Sequence, residues 1–325
     1  MKRSMSILLT ATLVAILAAC NGATGGLGSV PSALPTASPD ASGTDLTPAP
    51  SGSTAPSAAP SAEPSDAPGA SANPSGTPAE TMTVRAYFVL GGQPGSVGLV
   101  PVLRVVPKSA AVATAAMNAL LAGPTAKEAG DRTMTTAIPD GTGLLGVTIK
   151  NGVATANLAT EFDSGGGTAS MQYRLAQVVY TLTQFTTVKS VLFQVEGQTV
   201  TVFGTEGIVL DGPVGRADYT AQLPAIFVDR PAYGAAIGNP AKVSGNADVF
   251  EAQFRVAILD ASGKTLVDQP VTASCGTGCR GTFAVTLDYA VGKAQYGTLR
   301  VYDPSEKDGT PQSIRDYPVW LTPAG

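Results

Sequence analysis

From Met82 onward the chain alternates. Val84, Ala86, Phe88 and Leu90 are apolar and separated by less apolar positions, the period-two pattern of a half-buried strand. Residues 99–106 read as a second strand. Ser109 is placed to cap a helix running to Ala122, with Val112, Ala116, Leu120 and Leu121 as its apolar positions and Gly123-Pro124 as its stop. Runs 144–149 and 153–158 flank Asn151-Gly152, the favoured pair for a tight hairpin turn. After Gly165-Gly166-Gly167 comes the clearest helix. Met171, Leu175, Val178, Val179, Leu182 and Phe185 fall at the spacing of one buried helical face. Runs 188–195 and 199–202, joined through Gly197, predict another hairpin. Two helices on a small mixed sheet make an α+β domain over residues 81–223.

The remainder, residues 224–325, carries no helical period. Strand-like runs recur at 225–228, 242–243, 249–259, 266–272, 282–287, 297–302 and 314–321, and Asn239-Pro240, Ser262-Gly263 and Asp308-Gly309 separate several of them. Short strands at this density predict an all-β immunoglobulin-like sandwich.

Upstream of Met82 the pattern is of another kind. Lys2 and Arg3 precede an apolar run from Ile7 to Leu17, followed by Leu17-Ala18-Ala19-Cys20. This is the three-part layout of a secretory signal peptide over residues 1–20, and the run is too short for a bilayer core of roughly 30 Å. Leu-Ala-Ala-Cys resembles the bacterial lipobox, whose cysteine thiol takes a diacylglycerol and becomes the new N-terminus. On that reading Cys20 is the lipidation site and the protein is attached to a membrane, facing away from the cytoplasm. Residues 21–80 are almost entirely Ala, Ser, Pro, Gly and Thr, with no Lys or Arg between Arg3 and Arg85. Such a stretch lacks the apolar surface to offset its ordering entropy and reads as a disordered tether. About 60 such residues reach ~45 Å as flexible coil and ~190 Å when fully polyproline-like.

Of three cysteines, lipidation of Cys20 leaves Cys275 and Cys279, and an exported chain is where a disulfide persists. The intervening Gly-Thr-Gly permits so small a ring, which contributes about 2 kcal/mol at best on the chain-entropy model. Histidine is absent, so no histidine-completed zinc site can form here. A net charge of −4 argues against a nucleic-acid partner, which needs clustered Lys and Arg.

A set of segments within 81–223 carries a resemblance. These are Leu120-Leu121-Ala122-Gly123-Pro124-Thr125, Ala137-Ile138-Pro139 with Gly141-Thr142, Asn151-Gly152-Val153-Ala154, Glu161-Phe162 with the glycine run, and Gln177 through Phe185. Together they resemble the GerMN domain of sporulation and spore-germination proteins. Pro231 with Asn239-Pro240, Val243-Ser244-Gly245-Asn246-Ala247, Phe250-Glu251, and Leu299-Arg300-Val301-Tyr302-Asp303 with Asp308-Gly309 resemble the immunoglobulin-like domain that often follows it. The resemblance implies an envelope lipoprotein and brings no catalytic residues.

The residues themselves point the same way. Without histidine, Ser-His-Asp and Cys-His systems are excluded. Glu161 and Asp163 could form a carboxylate pair for glycoside hydrolysis, but two acids on one face of a strand are expected from solvation alone. Gly165-Gly166-Gly167-Thr168 opens the strongest helix and is the candidate anion or ligand loop. A turn capped by Thr168 or Ser170 is the plainer account. Asp303 with Asp308-Gly309 lacks the spacing of a calcium loop. No metal or cofactor is expected. The reading is a non-enzymatic envelope adaptor that binds another envelope protein or the cell wall. A ligand-binding or sensor-associated lipoprotein is the alternative, and a histidine-free wall glycan hydrolase the third.

Overall fold

The computed structural model describes residues 80–92 and 95–324. The signal segment with Cys20, and the tether up to residue 79, lie outside the described residues.

The first half contains two sheets. Strands β1 (Thr81–Leu90) and β2 (Gly98–Pro107) pair antiparallel along their whole length, and β3 (Met134–Thr135) adds to the other edge of β1. Helix α1 (Val112–Leu121) begins three residues later than its predicted cap, because Ser109 accepts a hydrogen bond from the Ala111 amide and closes a turn of its own. Gly123, at φ +73°, ends it as expected. A third helix then follows that the apolar period did not reveal, α2 (Ala126–Arg132), started by a capping box between Thr125 and Glu128.

The second sheet has the order β4-β5-β6-β7, from β4 (Leu144–Lys150), β5 (Val153–Leu158), β6 (Ser190–Val195) and β7 (Gln198–Thr199). β4 and β5 form the predicted hairpin, with Asn151 and Gly152 both at positive φ. β5 and β6 are parallel, so the chain must cross over between them. It does so through helix α3 (Thr168–Leu182), and the sheet is therefore mixed. α1 and α3 pack on each other and on β1, while α1 also meets β4 and α3 meets β6. Phe162 stacks on Phe193 at 5.8 Å and tilts against Phe203 at 5.2 Å, filling the space near β6. A small ribbon of β8 (Val202–Phe203) and β9 (Ile208–Val209) completes this half.

The second half is a sandwich. One sheet has the order β10-β12-β15, from β10 (Ile226–Arg230), β12 (Ala241–Ala247) and β15 (Gly281–Leu287), where β11 (Ala236–Ile237) precedes β12 and lies in the opposite sheet. That sheet has the order β11-β17-β16-β13-β14, from β13 (Gln253–Leu259), β14 (Thr265–Thr272), β16 (Gln295–Pro304) and β17 (Pro311–Leu321). The predicted strand at 249–259 is shorter in the structure, because Phe250–Ala252 forms a turn of 3-10 helix with Glu251 and Ala252 at positive φ. Phe254 and Phe283 meet edge-on at 4.8 Å between the sheets. Gly245 in β12 lets the backbone of β10 approach, since a Cβ there would collide with the Phe227 carbonyl oxygen.

The two halves share one continuous apolar core, from Ala86 in β1 to Leu321 in β17. β10 packs against β2, and Tyr180 of α3 meets Phe227 of β10 edge-on at 5.9 Å. Among the described residues, no helix is long and apolar enough to cross a membrane.

Candidate functional site: the seam and its aromatic face

The polar chemistry concentrates where the halves meet. The register of β10 against β12 slips between Val228 and Arg230, a bulge that re-aims the side chain between them. That residue is Asp229. Its Oδ1 accepts a 2.6 Å hydrogen bond from the Tyr87 hydroxyl of β1, and its Oδ2 lies 3.3 Å from Arg85 Nη1. Arg216, from the 3-10 helix Arg216–Gln222, approaches Oδ1 at 3.4 Å and donates to the Tyr87 hydroxyl at 3.1 Å. The Arg216 guanidinium also sits 4.6 Å from the Tyr180 ring centre. Burial alone would raise the Asp229 carboxyl, but Arg216, Arg85 and the Tyr87 hydroxyl hold it below the ordinary carboxylate range. Burial pushes the Tyr180 phenol up to about 12, and that of Tyr87 higher still.

A second tie lies further along β2. Arg315 of β17 is 2 % exposed. It donates to the Ser96 carbonyl and, through Nη2, to those of Gly98 at 3.1 Å and Leu99 at 2.9 Å. Val102 of β2 bridges Tyr233 of the connecting segment.

Between α2 and the outer face of the five-stranded sheet lies a cleft of about 600 Å³, lined by Lys127, Glu128, Asp260, Tyr296 and Thr298 among others. Arg104 grips both Glu128 oxygens, at 3.0 and 2.7 Å. Although burial opposes ionisation, these bonds keep the Glu128 carboxyl below its ordinary pKa. Tyr296 is 72 % exposed and Trp320 is 37 % exposed. The two are cross-strand partners whose rings meet edge-on at 4.8 Å.

The residues singled out from the sequence fall elsewhere. Gly165 and Gly166 take positive φ, and Gly167 is the N-cap of α3 without a side-chain cap. Thr168 does not cap; its hydroxyl bonds Glu206 Oε2 at 2.9 Å. Beneath the loop lies Arg174, 2 % exposed. It donates to the carbonyls of Phe162 (2.5 Å), Ser164 (2.9 Å), Gly165 (3.0 Å) and Ala137 (3.0 Å). The loop's carbonyl side is thus spent on an internal cation, and burial lowers the Arg174 pKa although Asp163 opposes this. Sequence reasoning passed over Arg174, whose signal is an arginine on the apolar face between Met171 and Leu175.

Glu161 and Asp163 lie in a 3-10 turn, Thr160–Asp163, and not in a strand. Asp163 Oδ1 accepts from the Gly204 amide at 2.6 Å. Asp303 sits in β16, while Asp308 accepts from the Thr310 amide at 3.0 Å in the turn between β16 and β17. Cys275 and Cys279 are bonded, with Cα atoms 6.0 Å apart. Thr277, inside that ring, donates its amide to Val249 and accepts from the Glu251 amide. Among the described residues, no three His, Cys, Asp or Glu side chains are grouped to hold a metal.

Residues 85–201 match the family model for sporulation and spore germination called Germane, and residues 225–310 match that for the immunoglobulin-like domain of bacterial spore germination, Gmad2. A comparison with curated proteins returns no match. Among solved structures, the chain is similar to the tandem GerMN domains of the sporulation protein GerM from Bacillus subtilis. The identity is 15%, the TM-score is 0.37, and the match covers 64% of this chain and 62% of that one. The first GerMN domain of the same protein matches at 23% identity and a TM-score of 0.36, covering 42% of this chain and 99% of that one. A putative lipoprotein from Clostridium perfringens matches at 22% identity and a TM-score of 0.31, covering 42% and 89%.

Proposed function

From the premise that this chain joins a GerMN domain to a germination-type immunoglobulin-like domain, we propose that it is a non-catalytic binding module of the bacterial cell envelope. On this reading Cys20 carries the lipid anchor, and residues 21–80 let the folded part reach an envelope protein or the wall. The observation that carries it is the seam. Asp229 is shared by two arginines and a tyrosine from the first domain, and an aromatic pair is left outward beside the cleft. A rigid two-domain head with one exposed aromatic face suits recognition, because little freedom remains to be lost on binding. The absence of histidine and the structural use of Asp163 and Arg174 support a non-catalytic role. A tether raises the effective concentration of the head at its target, so a weak contact suffices.

Crosslinking in intact cells, followed by mass spectrometry of the joined peptides, tests this. Crosslinks from the outer face of the five-stranded sheet to one envelope component are expected. Turnover of a wall glycan by the purified full-length protein, abolished in Glu161→Gln or Asp163→Asn, would replace the module with a hydrolase.

A further inference from the structure

We propose that the outer face of the five-stranded sheet, from the Tyr296–Trp320 pair to Tyr302, is a binding site for an uncharged, extended glycan chain. The proposal deepens the envelope-module reading and rests on it.

The register defines the surface. Along β16, Tyr296, Thr298, Arg300 and Tyr302 alternate with Leu299 and Val301, which are fully buried. Opposite them on β17 stand Trp320, Pro318 and Asp316. The row from Tyr296 to Tyr302 is about 20 Å long at the usual strand rise, enough for several sugar rings in line. Its groups are the two kinds that a polyhydroxylated ligand uses. Aromatic faces offer apolar, slightly negative surface to the C–H side of a ring. Planar polar groups and hydroxyls meet its oxygens.

Charge narrows the choice of occupant. Arg300 holds Asp316 through two bonds at 2.7 and 2.8 Å. Arg255 holds Asp268 at 2.9 Å, and the Tyr302 hydroxyl bonds the same carboxylate at 2.7 Å. The charges along the row thus come in pairs, and a partner of strong single sign has nothing to meet. At the cleft end, Asp260 Oδ1 is occupied by the amides of Ser262 and Lys264 and by the Ser262 hydroxyl, leaving Oδ2. With the Lys127 ammonium it supplies an acceptor and donors of the kind that orient hydroxyls. The core of a protein interface is depleted of charged residues, whereas here the aromatic pair gives way, two positions along the same face, to the Arg300–Asp316 ion pair. The length of chain ahead of the head is compatible with the envelope reading, since about 60 residues reach ~45 Å as flexible coil.

The readout is built in, because Trp320 is the chain's single tryptophan. The full-length protein in detergent is titrated with a β-1,4-linked N-acetylglucosamine hexamer, following tryptophan emission, and is separately sedimented with protein-free wall glycan. A saturable emission change and co-sedimentation are expected. Tyr296→Ala should weaken both about tenfold, the loss of one aromatic contact, while Tyr296→Phe retains them. Because Tyr296 is exposed, the thermal midpoint of the alanine variant should stay at the wild-type value, which separates lost binding from lost fold. No emission change and no sedimentation, or binding that survives Tyr296→Ala with Trp320→Ala, overturns the glycan site. If in-cell crosslinks to an envelope protein persist in that case, the module reading stands alone. Shortening of the hexamer during the titration would overturn the module reading itself.

Discussion

The Tyr87 hydroxyl and the Asp229 carboxylate are 142 residues apart in the chain and 2.6 Å apart in space. The first lies on the opening strand of the first domain, the second on a bulge in the opening strand of the second. Two arginines close the group. Removing the carboxylate leaves Arg85 and Arg216 facing each other without a shared counter-charge, inside a half-buried seam.

Asp229→Ala is therefore expected to cost about 2 kcal/mol, as for hydrogen bonds to a charged group in a half-buried site. Urea unfolding followed by fluorescence and circular dichroism measures it. An unchanged midpoint would mean that the seam is held by apolar contact alone.

Acid should act on the same group. The folded-state pKa of Asp229 lies below its unfolded value, so the unfolded chain binds the extra proton. The stabilisation is present above the ordinary aspartate pKa of about 3.9 and is lost as pH falls through the lower folded value. The wild-type unfolding free energy should drop over that window, and that of Asp229→Asn should drop less.

Alkali tests the aromatic side. Tyr180 is pushed up to about 12 by burial, and Tyr87 and Tyr219 are raised as well. A raised folded pKa means that the unfolded chain gives up its proton first. Stability is complete below about pH 10 and falls between there and about 12. Tyr180→Phe should flatten part of this decline in urea midpoints compared at pH 9 and 11.

Arg174→Met keeps much of the side-chain volume and strips four carbonyls of their donor. A cost of about 2–3 kcal/mol is expected, with hydrogen exchange quickening at residues 162–167 before the rest of the domain. Equal protection in both proteins would show that the glycine loop holds its shape unaided.

Cys20→Ser should move the protein from the membrane fraction to soluble or uncleaved forms. Detergent-requiring attachment that persists in the variant would remove the lipid anchor.

Much of the fold was legible because it rests on local signals. β1, the Asn151-Gly152 hairpin and α3 follow from period and turn chemistry, and so do most strands of the sandwich. Helix α2 was missed because seven residues hold too little apolar period, although Thr125 and Glu128 carry the capping signature. The turn at Phe250–Ala252 was hidden inside an apolar run. The seam could not be read at all. Arg85, Arg216, Asp229 and Arg315 come from distant parts of the chain, and each alone looks like a solvated charge. The aromatic pair becomes visible only once register sets Tyr296 opposite Trp320.

Arg315 has a consequence for how the molecule comes together. The carbonyls of Ser96, Gly98 and Leu99 belong to the first domain, yet their donor arrives on the final strand, more than 215 residues later. Until that strand is in place, those oxygens must keep water in a site that the finished fold closes. The first domain is completed by the second, and the pair should melt in a single cooperative step. A chain that folds as it lengthens can pair β1 with β2 early, but it cannot seal the seam beside them until β17 brings Arg315.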